Sequence, residues 1–250
     1  MYKIIKIAGL LILLLPACFL QAQIKQKSIK TKQAPPITSV AKNAIAAVTP
    51  ATITSPVKIK ISTSLGDIIV VLSDKTPKHS DNFVKLVNAH FYDSLLFHRV
   101  INSFMIQGGD PKSKNAAAGI LLGSGSVPYT IPAEFDTTLY HKRGALAAAR
   151  DNNPEKASSG CQFYIVQGKQ VNGEELDIIE QQKGIFFSAA KRMTYKMNGG
   201  TPKLDMNYTV FGEVETGMEV VDKIISGQTD ENNRPLIDVS MKMELLEEIK

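Results

Sequence analysis

The sequence predicts a mainly β fold, an antiparallel barrel of many short strands with two helices packed against it. Short segments in which apolar and polar residues alternate recur along the chain from residue 57 onward. Glycine-rich turns separate these segments, and two helical segments carry an apolar face. The pattern indicates which kinds of elements are present, but it does not give the order of the strands.

A strand, a turn and a second strand begin the predicted domain. Val57, Ile59 and Ile61 alternate with polar residues, which is typical of a half-buried strand. The segment 65–67 turns the chain, and 68–72 forms the partner strand. A helix follows, with Thr76 as its N-cap and Pro77 at its first position. One face of this helix contains Phe83, Leu86, Val87 and His90.

The segment 97–110 carries a cation, an aromatic ring, a thioether and an amide within nine residues. We expect residues 99–107 to form one extended strand, in which alternate side chains share a side. That side would hold Arg99, Ile101, Ser103, Met105 and Gln107. With Phe104 beside them, these residues suit a shallow pocket that has an apolar floor and polar groups at its edge.

The rest of the chain adds further strands and the second helix. Residues 127–134 lead to an alanine-rich segment at 144–150, and 160–166 and 210–214 are predicted strands. The second amphipathic helix is marked by Met218, Val221, Ile224 and Ile225. A clean alternation of apolar and polar residues from Ile237 to Leu245 predicts the last strand.

The segment 97–110 resembles the signature of the cyclophilins, the peptidyl-prolyl cis-trans isomerases, in order and spacing, and 76–83 is similar to their first helix. The resemblance covers roughly residues 57–250. It implies a closed eight-stranded antiparallel barrel capped by two helices. A helical insertion at about 168–202 interrupts the resemblance, because the family usually has a short loop there.

The insertion contains two helix-like pieces. The first covers 174–183 and ends at Gly184, a typical C-terminal cap, and the second begins after Ser188 as its N-cap and runs to Gly199. One face of the second piece contains Phe186, Ala190, Met193 and Met197. Two interpretations stay open: a surface elaboration that covers its own apolar residues, or a flap beside the peptide groove.

The resemblance also implies the residues of the site. Arg99 is the expected catalytic residue, because a charged donor can hydrogen-bond to the prolyl nitrogen once the amide is twisted. The expected substrate-binding residues are Phe104, Met105, Gln107, Ala148, Ala149, Arg150, Gln162, Tyr164, Leu204 and Tyr208. This chemistry needs no cofactor, and the four histidines lack the spacing of a metal site.

The function that follows is peptidyl-prolyl cis-trans isomerisation in exported polypeptides, which assists their folding. The expected partners are proline-containing peptides and unfolded exported proteins, and the enzyme is expected to act as a monomer. The alternative is a non-catalytic, chaperone-like module that binds proline-containing segments. Arg99, Phe104, Met105 and Gln107 favour the enzyme, whereas the insertion and the N-terminal tail keep the binding module open.

The N-terminal residues predict export. Lys3 and Lys6 precede an apolar run at 7–15 that is short for a membrane span, so residues 1–22 are interpreted as a signal peptide. Cleavage after Ala22 would leave a periplasmic protein. Alternatively, Cys18 would carry lipid and tether a lipoprotein to the membrane, and an uncleaved anchor is the third possibility. Residues 23–56 are predicted to be a flexible basic linker before the domain at 57–250.

The distribution of charge argues against a nucleic-acid role. The whole chain carries +5, and residues 1–56 supply +7 through seven lysines and no acid, which leaves −2 for the rest. A nucleic-acid-binding domain needs a basic face on its folded part. The second cysteine, Cys161, has no predicted disulfide partner and is expected to be a small buried residue of a strand.

Overall fold

Ten β-strands and four α-helices occupy residues 57–246, the part of the chain that the computed structural model describes. The predicted signal peptide and linker lie outside these residues. The strands are β1 (Lys58–Thr63), β2 (Gly66–Leu72), β3 (Arg99–Ile101), β4 (Met105–Gly108), β5 (Thr130–Ile131), β6 (Ala145–Ala148), β7 (Ser158–Ser159), β8 (Phe163–Val166), β9 (Val210–Thr216) and β10 (Met241–Leu246). The helices are α1 (Pro77–Asn88), α2 (Gly173–Lys183), α3 (Ala189–Met197) and α4 (Met218–Ile225).

Eight of the strands form one curled antiparallel sheet in the order β10-β1-β2-β9-β6-β8-β4-β3, and β5 pairs with β7 separately. The predicted number of strands and their antiparallel pairing are therefore confirmed. The two ends of the sheet approach each other, since the N–H of Phe97 donates to the carbonyl of Val239 and the N–H of Met241 donates to that of Leu95, both at 2.9 Å. Full closure into a barrel stays a prediction.

The predicted single strand over 99–107 is wrong, because the segment is a hairpin. β3 ends at Ile101, the chain turns through 102–104 with Ser103 at a φ of +59°, and β4 begins at Met105. Asn and Ser favour such turns because their short side chains hydrogen-bond to nearby backbone. The hairpin still places Arg99 and Gln107 side by side, since they are paired residues in its register.

The main hydrophobic core lies between the curled sheet and the helices α1 and α4. Phe83 of α1 meets Phe163 of β8 and Phe211 of β9 edge-on, with ring centroids 5.5 and 5.3 Å apart. His90 was expected on the same helical face, but α1 ends at Asn88 and His90 is exposed. The predicted burial of Val221, Ile224 and Ile225 in α4 is confirmed.

Helix α1 is capped by a residue from a distant part of the chain. Thr76 precedes the helix as predicted, but its hydroxyl makes no capping hydrogen bond. The carboxylate of Glu134 instead accepts from the N–H groups of Lys78 at 3.1 Å and His79 at 3.0 Å. These amides lack hydrogen-bond acceptors within the helix, so Glu134 provides the capping acceptors that the Thr76 hydroxyl does not.

The insertion has a small core of its own. Gly184 adopts the left-handed conformation at the end of α2, and the Ser188 hydroxyl accepts from the Lys191 N–H at the start of α3, so both predicted caps are confirmed. The buried cluster of the insertion comprises Val171, Leu176, Ile179, Phe187 and Tyr195. The face predicted for the second piece is exposed at Phe186, Met193 and Met197, and Tyr195 is the residue of α3 that packs inward.

The last strand is shorter than predicted. β10 begins at Met241, and Ile237, which the alternation placed in the strand, is 85% exposed. Within residues 57–246, the longest stretches of helix are too short and too polar to cross a bilayer.

Candidate active site

A cavity of about 450 Å³ opens beside the β3–β4 hairpin. Its lining includes nine of the eleven predicted site residues, namely Arg99, Phe104, Met105, Gln107, Ala149, Arg150, Tyr164, Leu204 and Tyr208. They come from β3, β4 and the turn between them, from β8, from the residues just after β6, and from the segment 204–208 at and after the 3₁₀ turn Pro202–Leu204. The antiparallel order β6-β8-β4-β3 brings these elements together, because each strand lies beside the next.

Polar side chains at one edge of the cavity form a continuous chain of hydrogen bonds. The guanidinium of Arg99 donates to Gln107 Oε1 at 3.3 Å, and the Gln107 amide donates to Gln162 Oε1 at 2.9 Å. The Gln162 amide donates in turn to the carbonyls of Gly123 and Gly125 at 2.9 and 2.6 Å. This chain fixes the position of the guanidinium and leaves most of its N–H donors uncommitted among the described residues.

The floor of the cavity is apolar. Met105 is 1% exposed and packs in a cluster with Tyr164, whereas Phe104 and Leu204 are partly exposed against that cluster. Ala149 adds a small side chain, so a ligand could approach the strand backbone closely at this point. Rigid apolar walls of this kind hold an apolar group mainly by removing its surface from water.

Tyr164 carries a hydroxyl at the apolar wall, and this hydroxyl has a buried partner. Its oxygen lies 2.9 Å from His141 Nε2, and the two rings stack with an interplanar angle of 15°. His141 Nδ1 lies 2.8 Å from Asp205 Oδ1, and both residues are almost completely buried. Burial raises the pKa of Tyr164 well above its ordinary value, so the phenol stays protonated.

Arg150 and Tyr208 form the opposite rim. The guanidinium of Arg150 lies 4.7 Å from the centroid of the Tyr208 ring and donates to the backbone carbonyls of Asn207 and Asp151 at 3.0 and 3.1 Å. The Tyr208 ring meets Tyr164 edge-on at 6.0 Å. The rim is therefore stabilised by stacking and by backbone contacts rather than by an ion pair.

Two predicted site residues are not part of the cavity lining. Ala148 belongs to the main core on the other side of β6, because adjacent residues of a strand point to opposite faces. Gln162 lies behind the lining and acts on it through Gln107. The prediction also missed three contributions to the lining: His98, Asp151 and the loop 121–124.

His98 is the least expected of these missed residues. It is 3% exposed, and neither ring nitrogen has a hydrogen-bond partner among the described residues. Burial lowers the pKa of His98 to about 4, so the ring is neutral at physiological pH. Its position next to Arg99 could have indicated a role at the site, but strand alternation carried back from Arg99 predicts the opposite face, whereas β3 begins only at Arg99.

The described residues offer no other obvious chemical centre. Within 57–246, no three His, Cys, Asp or Glu side chains are grouped as metal ligands would be. Cys161 is buried, as expected, and burial raises the pKa of its thiol, which disfavours the reactive thiolate.

Comparison with known proteins identifies a family and close relatives. The family model described as cyclophilin type peptidyl-prolyl cis-trans isomerase matches residues 58–244. A protein of Staphylococcus haemolyticus that is described as a peptidyl-prolyl cis-trans isomerase is 33% identical over 73% of this chain and 87% of its own length. A protein of Streptococcus pyogenes described as a bifunctional phosphatase and peptidyl-prolyl cis-trans isomerase is 36% identical over 73% of this chain. The match spans only 37% of that streptococcal protein.

A solved structure shares the fold. The crystal structure of a cyclophilin type peptidyl-prolyl cis-trans isomerase of Cryptosporidium parvum, determined in the presence of the dipeptide Ala-Pro, has a TM-score of 0.55. Its sequence is 23% identical, and the match covers 76% of this chain and 99% of the other. The eight-stranded curled antiparallel sheet with its helices is therefore a cyclophilin-like fold.

Proposed function

Because the chain belongs to the family of cyclophilin-type peptidyl-prolyl cis-trans isomerases, we propose that it accelerates X-Pro isomerisation in exported polypeptides, with Arg99 as the catalytic residue. The family gives the activity, and the proposal adds the residue that performs it and the location of the substrates. The crystal structure of the Cryptosporidium relative in the presence of Ala-Pro supports proline-containing peptides as the ligand class.

The reaction requires rotation about an amide bond and no bond cleavage. Resonance gives that bond a rotation barrier of about 18–20 kcal/mol, and the uncatalysed X-Pro reaction takes tens to hundreds of seconds. At the twisted geometry the resonance is lost, and the prolyl nitrogen regains a lone pair that can accept a hydrogen bond. A site that donates to this lone pair binds the twisted form better than either planar form. This difference in binding lowers the rotation barrier and accelerates the reaction.

The position of Arg99 is the observation that carries the proposal. Its guanidinium borders the same cavity as the apolar floor formed by Phe104 and Met105, and it donates a hydrogen bond to Gln107. A proline ring on that floor would bring its nitrogen toward the guanidinium, which remains charged at physiological pH. Gln107 orients the donor beforehand, so little reorganisation is needed during the rotation.

The proposal is tested by comparing the isomerase activity of the full chain with that of its Arg99→Ala and Arg99→Lys variants on a short X-Pro peptide. NMR exchange between the cis and trans signals measures the rate without an auxiliary protease. We expect kcat/KM to fall by about 10²- to 10³-fold in Arg99→Ala, the usual effect of losing one preorganised donor. Arg99→Lys should recover only a small part of the rate, because lysine lacks the rigid planar fork.

Arg143→Ala is the matched control. This variant also loses one arginine, but Arg143 pairs with Asp222 and does not line the cavity. Its activity should equal that of the wild type. Full activity in Arg99→Ala would refute the catalytic role of Arg99. Saturable peptide binding without acceleration in the wild type would instead support the alternative function, a non-catalytic module that binds proline-containing segments.

The proposed location of the substrates rests on the N-terminal sequence, with its positive start, its apolar run and the predicted cleavage site at Ala22. Cell fractionation followed by mass spectrometry of the protein from the envelope and cytoplasmic fractions tests this part separately. A mature chain that begins at Gln23 indicates a periplasmic enzyme, and a lipid on Cys18 indicates a tethered one. An unprocessed chain recovered with the cytoplasmic proteins would refute export.

A further inference from the structure

A line of buried hydrogen bonds connects the insertion to the wall of the cavity. Tyr195 of α3 donates from its hydroxyl to Asp205 Oδ2 at 2.7 Å. The other carboxylate oxygen, Oδ1, accepts from the backbone N–H of His141 and lies 2.8 Å from its Nδ1. His141 Nε2 lies 2.9 Å from the hydroxyl of Tyr164, which lines the cavity. The line therefore has four members: Tyr195, Asp205, His141 and Tyr164.

The chemistry of these groups fixes where each proton lies. Burial alone would raise the pKa of Asp205, but hydrogen bonds from His141 hold it below its usual range, so the group is a carboxylate that only accepts. His141 Nδ1 must then carry the proton it donates. Burial lowers the pKa of His141 despite the nearby carboxylate, so Nε2 is unprotonated and accepts from the Tyr164 hydroxyl.

The insertion also surrounds the carboxylate with positive charge. Lys191 of α3 lies 3.5 Å from Asp205 Oδ2, and Lys183 of α2 donates to the backbone carbonyl of Asp205. The Tyr195 ring is completely buried between Tyr140 and Phe187, with centroids 5.5 and 5.6 Å away. Tyr195, which donates to Asp205 from the insertion, is thus held in place by packing.

We propose that Tyr195 is a positioning residue for the active site, and that the insertion uses the line through Asp205 and His141 to hold the Tyr164 ring at the proline pocket. The inference deepens the proposed function and rests on it. The Tyr164 ring forms a wall of the cavity, and isomerisation requires the proline ring to be held while the amide rotates. A wall fixed by hydrogen bonds at one edge keeps that geometry without movement of the backbone.

The inference predicts a specific dependence between two hydroxyl groups. In Tyr195→Phe, Asp205 loses one donor, and we expect kcat/KM for an X-Pro peptide to fall about three- to tenfold, chiefly through KM. In a chain that already carries Tyr164→Phe, the link to the pocket is cut. Adding Tyr195→Phe to that chain should then cause no further loss of kcat/KM.

Tyr140→Phe is the matched control for the first variant. Tyr140 contacts the Tyr195 ring and donates to Thr194 at 3.2 Å, but it makes no hydrogen bond to Asp205 or His141. Removal of the Tyr140 hydroxyl tests whether the loss of any hydroxyl group in this cluster impairs the enzyme. We expect kcat/KM to stay within about twofold of the wild-type value, as for changes that act on separate parts of a structure.

NMR of the His141 ring provides a readout that does not depend on activity. The groups that face this ring are the carboxylate of Asp205, the phenols of Tyr164 and Tyr195, and the cations Lys183 and Lys191. Without the Tyr195 hydroxyl, the negative charge of the Asp205 carboxylate is stabilised by one hydrogen bond fewer. The titration of His141 should therefore move upward by roughly half to one pH unit in Tyr195→Phe. Lys191→Met should also shift the titration of His141 upward. This variant takes the place of Tyr195→Phe in the test if Tyr195→Phe does not fold.

The outcomes separate the inference from the proposed function. An active wild type whose kcat/KM is unchanged by Tyr195→Phe would overturn the inference and leave the proposed function intact. An equal loss in the wild-type and Tyr164→Phe backgrounds would also overturn it, because it would show that Tyr195 acts without Tyr164. A folded wild-type protein without isomerase activity would overturn the proposed function and the inference together.

Discussion

Glu134 is expected to stabilise the domain far more than an ordinary half-exposed glutamate. Its carboxylate accepts from the N–H groups of Lys78 and His79 at the start of α1 and lies 2.6 Å from His79 Nδ1. The second ring nitrogen of His79 lies 3.0 Å from the Ser158 hydroxyl. One side chain therefore caps a helix and satisfies a buried histidine, so Glu134→Ala removes both contributions.

The size of the effect follows from these contacts. Loss of a helix cap costs about 1 kcal/mol, and an unsatisfied buried donor costs about 1–3 kcal/mol. The Glu134→Ala variant should therefore lose about 3 kcal/mol of unfolding free energy. For a domain of this size that corresponds to a decrease of about 6–12 °C in Tm. Glu134→Gln should lose less, because its amide oxygen can still accept from the helix.

The dependence on pH gives a second test of the same contacts. Burial alone would raise the pKa of Glu134, but hydrogen bonds from His79 and Lys78 lower it below 4.5. A group with a depressed pKa stabilises the fold above its unfolded value, and this contribution is lost as the pH falls through the folded value. Burial also lowers the pKa of His79 below 6.5, so stability declines as the unfolded chain takes up that proton.

Urea unfolding of the wild type and both variants between pH 7 and pH 4 measures these differences. The exposed residue Glu155 provides the control, since Glu155→Ala should change the unfolding free energy by less than about 0.5 kcal/mol. Wild-type stability should decline below pH 6.5, and the added decline below pH 4.5 should be smaller in Glu134→Ala. A loss below about 1 kcal/mol at pH 7 would refute the capping role.

Three further predictions concern the site and the core. Gly109→Ala should cost roughly 3 kcal/mol in urea unfolding, because Gly109 has a φ of +90° and a Cβ would lie 2.2 Å from the Cys161 carbonyl; near-wild-type stability would contradict this. Arg150→Ala should raise KM about three- to tenfold with kcat retained, since the Tyr208 ring loses its stacked cation; a matching fall in kcat would contradict a binding role. The Cys161 thiol should resist iodoacetamide until urea is added, as followed by peptide mapping, and rapid labelling of the native protein would refute its burial.

Local patterns predicted the elements that depend on neighbouring residues. The alternation at 57–61, the glycine at 184 and the serine at 188 each act within a few positions of the chain, and the structure confirms them. The predictions that failed concern contacts between residues that are far apart in the chain. Thr76 is a plausible cap by sequence, but a carboxylate 58 positions away takes that role. A periodicity cannot reveal a contact that only the fold creates.

The residues of the site could be predicted where one segment of the chain supplies them. The prediction was less accurate where several segments meet. The segment 97–110 supplies Arg99, Phe104, Met105 and Gln107, and all four line the cavity. The hairpin was missed because alternation looks continuous across a short turn. Ala148 was included because two adjacent alanines look alike in sequence, although the pleat of β6 sends their side chains to opposite faces.

The Tyr164 hydroxyl shows why such sites are specified by several positions together. A phenol buried at an apolar wall costs free energy unless its hydroxyl finds a partner, and His141 provides that partner. His141 in turn needs a carboxylate to orient its ring, and that carboxylate, being buried, needs further donors. These donors, Tyr195 and Lys191, belong to the insertion. Tyr164→Phe alone should therefore not be neutral for stability, since it leaves Nε2 of His141 buried without a donor.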